Sequence, residues 1–169
     1  MWFNTLKKRS LKKVVEKAKL NALPVDFKYE FKEIGIVIDK ADARFIPDLI
    51  KAFEKRGVNS HKIKILIYTS ENKKKLDQGH FGLKDFTISG GTENIEVLDF
   101  IDKKFDLLIS YYSVTTSPLI WVTAKSNAIF KVGVSDENTE LNHFSLTLKT
   151  LEVEGFIENL FKYINVFKH

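Results

Sequence analysis

Residues 105–134 read FDLLISYYSVTTSPLIWVTAKSNAIFKVGV, and this stretch decides the predicted fold. Residues 105–110 form a nearly continuous apolar run, which is typical of a strand buried in a parallel sheet. Ser117 and Pro118 are typical of a helix N-terminus, and the apolar residues after them predict a buried helix. Residues 128–134 predict a second strand. The order strand, helix, strand indicates a βαβ unit with parallel strands.

The same alternation extends along most of the chain. Ile34–Asp39 and Ile63–Tyr68 are apolar runs that predict strands, and Pro47 is placed to begin a helix between them. Apolar residues from Val153 to Ile164 recur with helical spacing and predict an amphipathic final helix. We therefore predict an α/β fold, a three-layer Rossmann-like sandwich with a mostly parallel central sheet, preceded by a basic N-terminal helix.

Four finer features follow from local sequence. Thr92 is expected to cap a helix over residues 93–103, and residues 85–88 are expected to form a short strand. Asn127 is expected to end the helix after Pro118 in a left-handed conformation. Residues 144–148 alternate between apolar and polar side chains, which predicts an edge strand.

The composition is that of a soluble globular protein. The chain has 169 residues, of which 44% are hydrophobic and 29% are charged, and it contains no cysteine. We expect residues 1–22 to form the basic helix and residues 23–169 to form a single α/β domain. No apolar run approaches the roughly 18 to 20 residues that cross a bilayer, and no secretory signal is evident. These observations predict a protein of the cytoplasm, or one peripheral to the inner face of the membrane.

The positive charge of the protein is concentrated at its N-terminus. Residues 1–20 hold seven basic residues against Glu16 alone, a formal charge of +6, whereas the whole chain carries +5. The remaining chain is electrically balanced and gives no support for general nucleic-acid affinity. The basic character therefore belongs to one segment.

This segment has two sets of apolar residues in different helical registers. Leu11, Val14 and Val15 share one face, and the face of the first residues is rotated by about a third of a turn. The helix is therefore expected either to bend near Arg9 and Ser10 or to contact different things with its two halves.

Aromatic residues followed by lysines are typical of an anchor at a membrane surface, and the same charges also suit RNA phosphate, as on a ribosome, or a protein partner. A helix that simply packs on the domain is the structural alternative. The candidate contact residues are Trp2, Phe3, Lys7, Lys8, Arg9, Lys12 and Lys13.

A second candidate site lies at the carboxyl ends of the predicted strands, where α/β sheets bind ligands. Hydroxyl, carboxylate and tyrosine side chains occur there, and a tyrosine ring could stack on a flat small molecule. Ordinary strand ends would have the same composition. The candidate ligand-binding residues are Asp39, Tyr68, Ser110, Tyr111, Tyr112, Ser113 and Ser135.

Familiar catalytic signatures are missing from the sequence. It contains no G-x-G-x-x-G fingerprint, no P-loop and no G-x-S-x-G elbow. The histidines His61, His80, His143 and His169 have no partners at the spacing of metal ligands. We therefore assign no catalytic residue, metal site or cofactor.

Residues 105–112 and 122–133 resemble a family of small bacterial proteins classed as a domain of unknown function. The resemblance extends to the lysine-rich N-terminal helix, to Lys84, Asp85 and Phe86, and to the final helix over residues 156–166. It covers most of the chain and implies no activity.

A weaker resemblance is to the N-terminal half of heptosyltransferase-type glycosyltransferases, which have a similar strand, helix and strand. In that family the first strand ends in an acidic residue, whereas residues 105–110 end in Ser110. The donor site of those enzymes lies in a second Rossmann domain, for which 169 residues leave no room. This resemblance implies the fold and argues against transferase activity.

The sequence thus predicts a non-catalytic binding or interaction module that uses residues 1–20. The alternative is a small ligand-binding protein or enzyme that uses the strand ends around Tyr111 and Tyr112.

Overall fold

The computed structural model describes residues 1–147 and 152–168. Helices and strands alternate along most of this chain, as the apolar runs predict. In chain order the elements are α1 Trp2–Lys17, β1 Ile34–Asp39, α2 Ile46–Glu54, β2 Ile63–Tyr68, β3 His80–Phe81, α3 Ile95–Asp102, β4 Leu107–Tyr111, α4 Ser117–Lys125, β5 Phe130–Gly133, β6 Phe144–Ser145 and α5 Val153–Phe167.

The strands of the described chain form one parallel sheet in the order β3-β2-β1-β4-β5-β6. β1 lies in the middle, and the chain builds outwards to β3 before it returns to add β4 beside β1. This reversal makes β1 and β4 the topological switch point of the sheet. The prediction of a Rossmann-like α/β fold is confirmed.

Helices cover both faces of the sheet. Successive strand residues point to opposite faces, and apolar side chains on both faces need to be buried. Val37 and Leu108 face the layer that contains α1, α3 and α4. Ile36, Ile38 and Ile109 face the opposite layer, which contains α2 and α5. These residues are completely buried, so the two apolar cores lie on either side of the sheet.

α1 belongs to the first of these cores through the second half of its length. Leu11 is completely buried, and Val14 and Val15 pack beside it. The helix is continuous through Arg9 and Ser10, so the change of apolar register does not interrupt it. Instead, the two halves have different surroundings, since Trp2 and Phe3 in the first turn remain exposed.

α1 ends at Lys17, before the expected boundary at residue 22. Ala18 already has an extended backbone, with φ −70° and ψ 138°. The carbonyl oxygen of Asn21 then lies 2.7 Å from Nε2 of His143, which comes from the segment before β6. The chain after α1 is therefore extended so that it can reach β5 and β6.

The expected cap of α3 is wrong by two residues. Oδ1 of Asn94 accepts a hydrogen bond of 3.2 Å from the backbone N–H of Val97, so α3 begins at Ile95. The hydroxyl of Thr92 instead accepts from the backbone of Asn94 and donates to the carbonyl oxygen of Asp85. Thr92 thus stabilises the loop before the helix.

The expected strand over residues 85–88 is also wrong. The carboxylate of Asp85 accepts a hydrogen bond of 2.8 Å from the backbone of Gly82, which closes a 3-10 turn over Leu83–Asp85. The strand of this region is β3, His80–Phe81, which pairs with the end of β2. Phe86 makes only an isolated bridge with Thr92.

Two further expectations concern the region after α4. Asn127 does not adopt a left-handed conformation. The helix ends at Lys125 instead, and the backbone N–H of Asn127 donates to the carbonyl oxygen of Ile101. The expected edge strand is present only as Phe144–Ser145, because Leu146 and Thr147 are not in a strand, and Leu148 lies outside the described residues. No helix of residues 1–147 or 152–168 is long and apolar enough to span a membrane.

Candidate functional site

The sheet brings the predicted ligand-binding residues to one edge. Asp39 and Tyr68 end β1 and β2 and are register partners. Ser110 and Tyr111 end β4, where Ser110 pairs with Gly133 of β5, and Ser135 follows that strand. The expectation that these residues share an edge therefore agrees with the topology, and their side chains determine what the edge can bind.

Tyr111 points into the core between the sheet and α5. Its ring makes edge contacts with Phe45 and Phe156, at centroid distances of 5.8 and 5.5 Å, and it is completely buried. Burial, followed by the negative charges of Asp42 and Asp48, raises the pKa of the Tyr111 hydroxyl. Because both ring faces are enclosed, Tyr111 presents no surface on which a flat ligand could stack.

Tyr112 points into the opposite core and shares a buried cluster of hydroxyl groups. Oγ1 of Thr123 lies 2.8 Å from both the Tyr112 hydroxyl and the Ser110 hydroxyl, and it donates to the carbonyl oxygen of Leu119. Burial raises the pKa of Tyr112 to about 12, and the hydrogen bonds from Thr123 and Ser110 oppose that shift. These contacts join β4 to α4, which is a structural role.

The remaining edge is largely filled by its own side chains. The cavity that Ser110, Tyr112 and Ser135 line has a volume of about 10 Å³, which is at the limit for one water molecule. Asp39 accepts a hydrogen bond of 2.9 Å from the backbone of Ala41. Of the tyrosines and serines predicted on β4 and its loop, Ser113 alone is exposed.

The ring of Tyr68 also offers no open face to a ligand. It is 8% exposed and packs against Phe81 in β3. Burial, with a smaller contribution from the charge of Asp39, raises the pKa of its hydroxyl. The edge therefore lacks an open ring face at Tyr68 as well as at Tyr111 and Tyr112.

A different surface is formed by the first half of α1. Trp2 and Phe3 are 69% and 57% exposed, and their rings make an edge contact with each other at 5.3 Å. Trp2, Leu6, Arg9 and Lys13 follow the helical spacing i, i+4, i+7, i+11 and so lie along one face. Leu11 is on the opposite side and is buried, which directs the basic face away from the domain.

Arg9 and Lys13 lie on this face, and Lys8 and Lys12 flank it on the same helix. Lys8, Arg9, Lys12 and Lys13 are exposed. None of them forms an ion pair with a carboxylate in the described ranges. We refer to these four residues, together with Trp2 and Phe3, as the anchor face.

Contacts with the domain fix the inner side of α1. The hydroxyl of Ser10 donates to the carbonyl oxygen of Ile88, and Nζ of Lys7 donates to that of Lys84 at 3.4 Å. Below the helix, the indole N–H of Trp121 donates to the carbonyl oxygen of Gly90 at 3.0 Å. Because these contacts come from the inner side, they leave the anchor face open.

The sequence pattern did not single out two basic groups near β5 and β6, the buried Lys131 and the partly buried His143. Burial lowers the pKa of Lys131 to about 8, and its Nζ donates to the carbonyl oxygens of Thr123 and Ala124 at the end of α4. His143 accepts a hydrogen bond of 3.0 Å at Nδ1 from the backbone of Lys131. Both groups hold neighbouring elements together, and the available signal was a lysine within the apolar run of β5.

The residues that the structure describes contain no group of three His, Asp or Glu side chains arranged to hold a metal ion.

Comparison with known proteins gives a family but no activity. A model of the family described as "Family of unknown function (DUF6913)" matches residues 7–167. No curated protein and no solved structure matches the chain, so the resemblance to heptosyltransferase-type enzymes gains no support. The matched residues run from α1 to α5 and include the segments that suggested an uncharacterised family. The chain therefore belongs to the DUF6913 family, whose function is unknown.

Proposed function

We propose that this protein is a non-catalytic binding module that attaches through α1 to an anionic phospholipid surface, on the cytoplasmic side of the membrane. The observation that carries the proposal is the orientation of α1. Leu11 and its apolar neighbours pack on the domain, while Trp2 and Phe3 are 69% and 57% exposed beside basic residues that form no ion pair within residues 1–147 and 152–168. A helix that served only to cover the core would not need this exposed aromatic end.

The chemistry of the anchor face suits the interface of a bilayer. Aromatic rings are favourable at the level of the headgroups, where one part of the ring is apolar and another is hydrated. Each lysine or arginine near an anionic surface contributes on the order of 1 kcal/mol of attraction. Trp2 and Phe3 would enter the headgroup region, and Lys8 and Arg9 in the next turns would meet phosphate groups.

RNA would supply the same negative charge, and the aromatic end distinguishes the two. The rings of Trp2 and Phe3 contact each other edge to face at 5.3 Å. They therefore form one compact apolar end next to the fully exposed Met1. Such an end is favoured by insertion between lipid headgroups, whereas phosphate binding alone would not use it.

Co-sedimentation with vesicles tests the proposal. The whole chain is mixed with vesicles of phosphatidylcholine alone, or of phosphatidylcholine with phosphatidylglycerol, at low salt and at about 0.3 M salt. We expect binding only to the anionic vesicles, with a strong loss at the higher salt. Deletion of residues 1–20 is a poor test because it also removes the buried Leu11.

Substitution of surface charges avoids that problem. Neutralising three charges with Arg9→Gln, Lys12→Gln and Lys13→Gln is expected to weaken binding on the order of a hundredfold. The matched control changes the exposed Lys51 on α2, Lys55 directly after α2 and Lys162 on α5, all in the opposite layer. Equal binding by the α1 variant and the wild type would reject the proposal, as would binding to RNA without binding to vesicles.

A further inference from the structure

We propose that the lipid contact extends from α1 onto the loop between β2 and β3, residues 69–79. Lys74 and Lys75 of this loop then form the second part of one composite basic surface. This inference rests on the proposed membrane attachment and adds the orientation of the domain on the membrane. The loop is distant from α1 in sequence. Hydrogen bonds nevertheless join the two segments, and two lysines of the loop form no ion pair in the part of the chain that the structure describes.

Lys84 is the residue that joins the loop to α1. Its carbonyl oxygen accepts the hydrogen bond from Nζ of Lys7. Its own Nζ donates to the carbonyl oxygens of Lys73 and Lys74, at 3.1 Å in the case of Lys74. A chain of contacts thus runs from Lys7 of α1 through Lys84 to the backbone of the loop, so that one residue joins the two basic segments.

The charges of the loop are only partly neutralised. Glu71 pairs with both Lys40 and Lys73, with a separation of 2.7 Å from Lys73. The hydrogen bonds from Lys40 and Lys73 hold the pKa of Glu71 at about 2, so this carboxylate stays ionised and committed to those two lysines.

Lys74 and Lys75 are exposed and form no ion pair within residues 1–147 and 152–168. These two lysines of the loop are therefore available to an external anion. Lys8 of the anchor face is available in the same way.

The position of the loop sets the orientation of the domain. The loop follows β2, and Lys84 lies in the turn after β3, so both are at the carboxyl edge of the parallel sheet. An extended anionic surface that meets Lys8 and Lys75 together would therefore face this edge. A flat bilayer offers negative charge across the whole span, and its density of headgroups complements two separate groups of lysines.

The test compares two neutralised surfaces on the same anionic vesicles. Lys74→Gln with Lys75→Gln removes two charges from the loop and is expected to weaken binding of the whole chain on the order of thirtyfold at low salt. The same substitutions at Lys51 on α2 and at Lys55 directly after it are the matched control and are expected to have no effect. The substituted side chains are exposed, and thermal unfolding verifies that each variant remains folded.

A local probe gives a second readout. The chain has no cysteine, so Lys75→Cys creates a single site for an environment-sensitive fluorophore. We expect its emission to shift to shorter wavelength on phosphatidylglycerol vesicles, while the same label at Lys55→Cys does not respond.

The outcomes separate this inference from the proposed function. Wild-type binding by the Lys74 and Lys75 variant, with no response from the label at residue 75, would overturn the composite surface and leave attachment through α1 intact. Full binding by the Arg9, Lys12 and Lys13 variant would overturn the attachment itself. Weaker binding by the loop variant, with a response at residue 75 only, supports the composite surface.

Discussion

Gly90 lies directly beneath Ser10 of α1, so that a Cβ on Gly90 would be 3.1 Å from the carbonyl oxygen of Ser10 and 3.1 Å from Cγ2 of Val14. The φ angle of Gly90 is +90°, a conformation that other residues adopt only with strain. This close approach explains how α1 sits low enough for Leu11 to be buried. It also determines which face of α1 is left for a partner.

Replacing Gly90 is therefore expected to loosen α1. Gly57 is the matched control, because its φ is +84° but a Cβ there would meet no atom within 4 Å. We expect Gly57→Ala to lower the free energy of unfolding by about 1 kcal/mol through backbone strain alone. Gly90→Ala adds a steric conflict and should cost about 1 to 3 kcal/mol more. Urea unfolding measures the difference, and equal losses would contradict the packing of α1 on Gly90.

We expect the same substitution to have opposite effects at Tyr111, the last residue of β4, and at Tyr112, which follows it. The hydroxyl of Tyr112 shares a hydrogen bond with Thr123, so Tyr112→Phe is expected to lower the free energy of unfolding by about 1 kcal/mol. The buried hydroxyl of Tyr111 has no hydrogen-bond partner among the described residues, so Tyr111→Phe is expected to be neutral or slightly stabilising. Chemical denaturation tests both variants. A larger loss for Tyr111→Phe would mean that its hydroxyl has a partner or a function.

We expect protonation of His143 to lower the free energy of unfolding in mild acid. Burial, together with the charge of Lys131, lowers the pKa of His143, and the hydrogen bond to Asn21 opposes this shift. The unfolded chain, with a histidine pKa of about 6.5, therefore takes up the proton first. The contribution of His143 to stability is complete above about pH 6.5 and is lost as the pH falls through its lower folded value.

The hydrogen bond at Nδ1 of His143 also indicates that protonation lowers the stability of the fold. Nδ1 of His143 accepts from the backbone N–H of Lys131, and a proton on that nitrogen would break the contact. We expect His143→Gln to remove part of the acid dependence of the unfolding free energy measured between about pH 7 and pH 5. His61→Gln, at an exposed histidine, is the control and should leave the dependence unchanged. An unaltered acid slope in the His143 variant would refute this role.

Most of the sheet could be predicted because its central strands are buried on both faces and therefore appear in the sequence as continuous apolar runs. β1 and β2 are covered on both faces, and their predicted bounds agree with Ile34–Asp39 and Ile63–Tyr68. β3 escaped prediction because a strand of two residues, His80–Phe81, has no periodicity to detect. The cap of α3 depended on which side chain, Thr92 or Asn94, reaches Val97, and tertiary contacts to Asp85 decided that choice.

The candidate sites were predictable to different degrees. The charge of residues 1–20 was plain from the sequence, and so was the change in apolar register that leaves Trp2 exposed. The burial of Tyr111 and Tyr112 on opposite faces of β4 could not be read from a strand end, since it depends on how α4 and α5 cover the sheet. The link from Lys7 through Lys84 to the loop joins distant segments, and only the fold reveals it.

The most direct test of membrane attachment is the fluorescence of Trp2. The chain has two tryptophans, and Trp121 is 3% exposed, so a change in environment on binding reports Trp2. We expect phosphatidylglycerol-containing vesicles to shift the emission to shorter wavelength and brominated lipids to quench it. Vesicles of phosphatidylcholine alone should have no effect, and Trp2→Phe should abolish the response. Emission that stays unchanged on anionic vesicles, or a shift that persists in Trp2→Phe, would contradict the account.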